Sequence, residues 1–221
     1  SVDAETQGAI ISTGQLVTGV LSVSIVNPDG TMTADHYARI RDSIASINTT
    51  FGAYGIELVE VDATSSDYAD VRVEVAATSA CGGFADGILG CSTSDGTITL
   101  ISGWDWFAGA DATQINSTAF DLQTIVTHEL GHSVGVEHSS DTNSTMYYAL
   151  ARGAARRNFT QTDLDQLMQI GDGGGSESLV SALRVNANGE IASAGSGHGT
   201  CPFCGGRHAV NEVEFAPNGI P

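Results

Sequence analysis

The periodic segments of this chain predict an α+β fold, with strands gathered in the first half and helices set between and after them. Three observations lead there: short runs with alternating apolar residues, longer runs with apolar residues every three or four positions, and turn-forming clusters between them. Residues 16–26 place Val17, Leu21, Val23 and Ile25 among small polar residues, a strand pattern. Asn27-Pro28-Asp29-Gly30 is a turn. Thr33 can cap the helix that follows, with His36 three residues on where a capping-box acid would stand. Tyr37, Ile40, Ile44, Ile47 and Phe51 then recur at helical spacing. Ile56–Val61 is a second strand, alternating Val71, Val73 and Val75 make a third, and Thr97–Ile101 a fourth. A long helix is expected over residues 119–132, capped by Asn116 or Ser117, with Phe120, Ile125, Val126 and Leu130 on its core side. Irregular chain follows, then a helix from about residue 160 to 170.

Composition bounds the partners. A chain of 221 residues with 41% hydrophobic content can build one substantial domain and a small appendage. The net charge is −18, and all eight basic residues are arginine. Such a chain is a poor ligand for nucleic acid or an anionic membrane, and its acidity reads first as a solvated surface. The longest apolar stretch, residues 16–26, is too short to span a bilayer. Arg152, Arg156 and Arg157 read as solvated surface residues.

The most informative stretch is His128-Glu129-Leu130-Gly131-His132-Ser133-Val134-Gly135-Val136-Glu137-His138, with Met146 eight residues later. Histidines at i and i+4 share one helix face, so His128 and His132 can reach one metal ion. His138 is too far along to be reached by continuing the helix. Gly135 can take positive φ, end the helix and turn the chain back to bring His138 to the same point. Three neutral nitrogen ligands leave a fourth position for water, the arrangement of a catalytic zinc. Glu129 lies beside that position without being a ligand, where a general base belongs.

This pattern resembles the metzincin clan of zinc endopeptidases. The resemblance covers roughly residues 15–171 by order of elements. It implies a twisted mixed β-sheet with two long helices above a cleft, and a small irregular lower subdomain ending in a C-terminal helix. Carried over to this chain, His128, His132 and His138 are the zinc ligands, Glu129 the general base and acid, Gly135 the turn glycine and Met146 the Met-turn residue. Ser139 after the third histidine, and a final helix opening at Phe159-Thr160-Gln161-Thr162-Asp163, resemble the matrixins. Tyr148, two residues after Met146, instead resembles astacins and serralysins, whose tyrosine there binds zinc or stabilises the transition state. The resemblance also implies that an edge strand above the cleft pairs with extended substrate, for which residues 98–103 are the candidate. Structural calcium is a second cofactor expectation, with the acidic loops 62–70 and 105–111 as places to look, although neither has a recognisable ligand spacing.

In a clan that is typically secreted, Cys81 and Cys91 read as a local disulfide around the Gly-rich loop 82–90. Residues 172–178 read as a Gly-rich linker between a catalytic domain (1–171) and a small extension (179–221). The extension carries a hairpin pattern around Asn188-Gly189 and the sequence Cys201-Pro202-Phe203-Cys204. Three readings of that pair stay open: a disulfide, a tail zinc site with His198 and His208, or latency through a cysteine at the open zinc position. The expectation is therefore a secreted monomeric zinc endopeptidase acting on proteins or peptides. The alternative is a zinc-loaded binding module or a latent zymogen without useful turnover.

Overall fold

The first strand turns Leu21, Val23 and Ile25 to the core, and the other strands of the sheet gather around it. The computed structural model describes residues 19–148, 150–170, 180–185 and 191–195. Its central sheet contains β1 (Gly19–Val26), β2 (Ile56–Val61), β3 (Val71–Ala76), β4 (Ile88–Thr93), β5 (Thr97–Ile101), β6 (Val180–Val185) and β7 (Ile191–Gly195). The strand order is β7-β6-β4-β5-β3-β1-β2. β1 pairs in parallel with both β2 and β3, and β3 with β5. β4 runs antiparallel to β5, and β6 runs antiparallel to both β4 and β7.

Two long helices pack together beside this sheet. α1 (Ala34–Phe51) buries Ile40, Ile44, Ile47 and Phe51, spaced along one helical face. Its N-terminus is closed by Thr33 and His36 together. The His36 amide donates to Thr33 Oγ1, and the Thr33 amide donates to His36 Nδ1, so the imidazole fills the role of the expected acid. α2 (Leu122–Ser133) is buried along nearly its whole length. Small hydroxyl residues allow the two helices to approach: Thr127 Oγ1 donates to Ser43 Oγ at 2.9 Å, and Ser43 in turn faces the backbone oxygens of Arg39 and Gln123. α3 (Gln161–Ile170) closes the lower part. No helix among the described residues is long and apolar enough to cross a membrane.

The structure corrects three expectations about its strands and helices. β4 is a strand, although residues 82–90 read as loop. It is buried on both faces, so it shows no alternation, and its glycine and short length hide it. In consequence β5 is interior, paired on both sides, and cannot be the edge strand expected at residues 98–103. The zinc-motif helix also starts later than expected. Asn116 closes a turn of its own, accepting from the amides of Thr118 and Ala119 at 2.9 Å each. Phe120–Asp121 then runs extended beside Trp106–Phe107, and Asp121 caps α2 by accepting from the Thr124 amide at 3.0 Å.

Arg157, expected at the surface, is the partner of that cap. Its guanidinium grips fully buried Asp121 with two hydrogen bonds of 2.6 and 2.9 Å and donates to the carbonyls of Gly109 and Ala110. Arg152 lies over the rings of Phe120 and Trp104, and Arg156 over Tyr147. Replacing Arg157 with alanine strands a buried carboxylate, and stability should fall by about 3–5 kcal/mol. A shift in the guanidinium unfolding midpoint measures it, and Arg157→Lys should recover only part because the two-pronged grip is lost.

Candidate metal centre

The last turns of α2 bring His128 and His132 onto one face, one helical turn apart. The helix ends at Val134, and Gly135 takes φ of 93°, as the turn requires. The amide of Val136 returns to the Gly131 carbonyl at 2.9 Å, which reverses the chain and delivers His138. The ligand-capable atoms of His128, His132 and His138 lie within 4.8 Å of one another. This is the only such cluster of His, Cys, Asp or Glu among the described residues.

The hydrogen bonds behind the rings decide what the cluster can hold. His128 Nδ1 lies 2.7 Å from the Thr145 carbonyl, and His132 Nδ1 lies 2.8 Å from the Val136 carbonyl. A carbonyl only accepts, so each Nδ1 carries the proton and each Nε2 presents a lone pair. Nε2 of His132 stands 3.0 Å from that of His128 and 3.2 Å from that of His138. Two lone pairs at that distance repel unless a cation sits among them. Nitrogens about 2.0–2.1 Å from a tetrahedral zinc are separated by about 3.3 Å, so the donor set fits zinc. Burial, reinforced at His128 and His138 by the neighbouring imidazoles, holds those two pKa values well below the ordinary histidine range. For His132 burial brings the value down to about 4. All three rings are therefore neutral at pH 7, as ligands must be.

Glu129 is completely buried, and neither carboxylate oxygen has a hydrogen-bond partner among the described residues. Burial pushes its pKa well above the usual carboxylate range; the opposing influence is the Ser92 backbone amide, which falls short of hydrogen-bond geometry. β4 runs directly against this carboxyl. A Cβ added at Gly90 would stand 2.9 Å from Glu129 Oε1, so only glycine leaves room for the side chain. The floor of the site is Met146, fully buried, with its sulfur so close to Gly131 that a Cβ there would stand 2.6 Å from it.

A network that sequence reasoning missed fixes the Met-turn. Asp163, at the start of α3, is fully buried and accepts from Ser144 Oγ at 2.6–2.7 Å and from the Thr160 amide at 2.6 Å. Ser144 Oγ accepts in turn from the Met146 amide at 2.7 Å. The Met146 carbonyl receives the Ser139 amide, and the Thr145 amide donates to Asn158. Thr145, whose carbonyl orients His128, is thereby held from several sides. The spacing Thr160-x-x-Asp163 was the available signal, since it has the form of a capping box.

The matrixin family model matches residues 40–170. The chain belongs to the matrixin family. Metalloendoproteinase 1 of Glycine max is 34% identical over 87 residues, covering 38% of this chain and 28% of that protein. Metalloendoproteinase 1-MMP of Arabidopsis thaliana is 28% identical over 90 residues, covering 38% of this chain and 25% of that protein. This matrixin therefore spans about a quarter of the length of the curated relatives it matches.

Cys81 and Cys91 are joined in a disulfide. Tyr148 is half-buried, its ring 4.5 Å from that of Tyr147. Among the described side chains of the acidic loops, Asp62 accepts from Thr64, Asp70 from Ser22, Asp105 from Thr118 and Asp111 from Thr113. Cys201 and Cys204, with His198 and His208, lie outside the described residues. Asp163→Ala should cost about 2–4 kcal/mol, because it leaves the Thr160 amide and the Ser144 hydroxyl unpaired in a buried place. Urea unfolding of the variant and parent gives that difference.

Proposed function

We propose that this matrixin is a secreted zinc-dependent endopeptidase whose substrates are proteins or peptides. The observation that carries the reading is the convergence of three imidazole nitrogens beside a buried carboxyl. His128, His132 and His138 are the residues assigned to hold zinc through Nε2. When bound, zinc supplies Lewis acidity to water and to the scissile carbonyl.

The remaining roles belong to the chain. Glu129 takes the proton from the attacking water and passes it to the leaving amine. Its burial suits both halves of that shuttle, because a carboxyl disfavoured as an anion accepts a proton readily and keeps it until a more basic nitrogen forms. The Thr145 and Val136 carbonyls hold two of the ligand rings in the tautomer the site needs. Met146 fills the space beneath the rings and takes no part in proton transfer. Tyr148 is assigned, from its place two residues after Met146, to donate a hydrogen bond to the carbonyl oxygen as negative charge develops. Secretion agrees with the disulfide between Cys81 and Cys91, which persists in an oxidising location.

Cleavage of casein should be abolished by a zinc chelator and restored by added zinc. Glu129→Ala should retain the parent's zinc content while losing at least about a hundredfold in kcat, in line with loss of a general base. Parent-like turnover in that variant would sink the assignment. Tyr148→Phe should lower kcat by about ten- to a hundredfold with little change in KM, if the phenol acts only in the transition state.

A further inference from the structure

β4 is the strand that borders Glu129, and its outer edge is not open. Without residues 180–195 it would be the last strand of the sheet, with a free row of amides and carbonyls beside the reacting groups. Here β6 takes that row. Val180 pairs with Thr93, Ser181 with Ser92, Ala182 with Cys91 and Leu183 with Gly90. The register then slips, so that Arg184 pairs with Ile88 and Leu89 is passed over. β7 closes the hairpin on the far side. The Leu183–Gly90 pair falls at the residue against which the Glu129 carboxyl packs.

An extended peptide binds an exposed sheet edge by adding a strand to it. An endopeptidase needs its substrate extended near the base, and β4 is the backbone edge nearest to Glu129. We infer that β6 occupies in cis the edge that an extended substrate peptide must use, so that the tail restrains this enzyme by strand occupancy. The inference rests on the peptidase reading above. The competition strongly favours the tail, because residues 171–179 tether β6 directly to α3, and a strand on so short a connection has an effective concentration on the order of millimolar. A substrate free in solution must displace the whole ladder from Val180 to Arg184 before it can pair.

This mechanism does not involve the tail cysteines, so it operates whether they are oxidised or reduced. It also separates pairing from metal binding. A small zinc-binding molecule that does not reach the edge should bind equally well with the tail docked or undocked, whereas an extended peptide should not.

The test compares the full chain with the same chain carrying Ala182→Pro and Leu183→Pro. Neighbouring strand residues point their amides in opposite directions, so one of the two prolines removes a donor to β4 in either case. Two readouts are taken on zinc-loaded protein: kcat/KM for casein, and the Kd of a fluorescent extended peptide ending in a hydroxamate. Acetohydroxamate, which is too small to reach the edge, reports whether the metal site is intact in both chains. The expected result is a gain on the order of tenfold or more in kcat/KM and in peptide affinity for the double variant, with acetohydroxamate affinity unchanged. Equal cleavage and equal peptide binding in the two chains would overturn strand occupancy and leave the peptidase reading standing. If neither chain cleaves casein but the variant binds the peptide hydroxamate more tightly, occupancy stands and the peptidase reading falls. Binding of the peptide to neither chain overturns both.

Discussion

Two backbone carbonyls, those of Thr145 and Val136, set the chemistry of this molecule. Each takes the Nδ1 proton of an imidazole and so turns the Nε2 lone pair toward a common point. Most of the surrounding structure holds those two carbonyls still. The Gly135 turn presents one of them, and it is part of the same reversal that delivers His138. The other belongs to a segment pinned by Ser144, Asp163, Ser139 and Asn158. The site is therefore assembled from the end of one helix, a tight turn and an irregular segment, and it relies on α3 although α3 contributes no ligand.

The second constraint is space around Glu129. A fully buried carboxyl without a hydrogen-bond partner among the described residues is costly to keep, and such a cost is characteristic of functional sites. Gly90 in β4 makes the room. One glycine thus links the sheet to Glu129, and it brings the β4 backbone to within one side chain of the helix that carries His128 and His132. Asp121 and Arg157 work from the opposite end of α2. They anchor the start of the helix whose last turns carry His128 and His132.

The sequence revealed the centre of the site better than its surroundings. Histidines at i and i+4, a glycine three residues on and a third histidine have few structural solutions, so their spacing alone specified a helix, a turn and a common point. Strands with strict alternation, such as Val71–Ala76, were legible for the same reason. β4 was not, because a strand buried on both faces loses the period that identifies it. Asp121 and Asp163 were hidden differently: their partners, Arg157 and Ser144, lie far away in sequence, and only the folded chain brings them together. His36 shows that a familiar rule can be met by an unexpected residue, since its ring nitrogen caps the helix where an acid was sought.

The disulfide between Cys81 and Cys91 has a topological consequence. The loop it closes presents Phe84 half-exposed, with Ala85 and Asp86 also open to solvent, the kind of tip at which chains are nicked. Hydrolysis of a bond between Cys81 and β4 would divide the polypeptide in two, yet the sulfur bridge would keep both fragments in one particle with β4 still joined to the strand before it. The nicked molecule would weigh one water more than the intact one, and only a reducing agent would separate its halves.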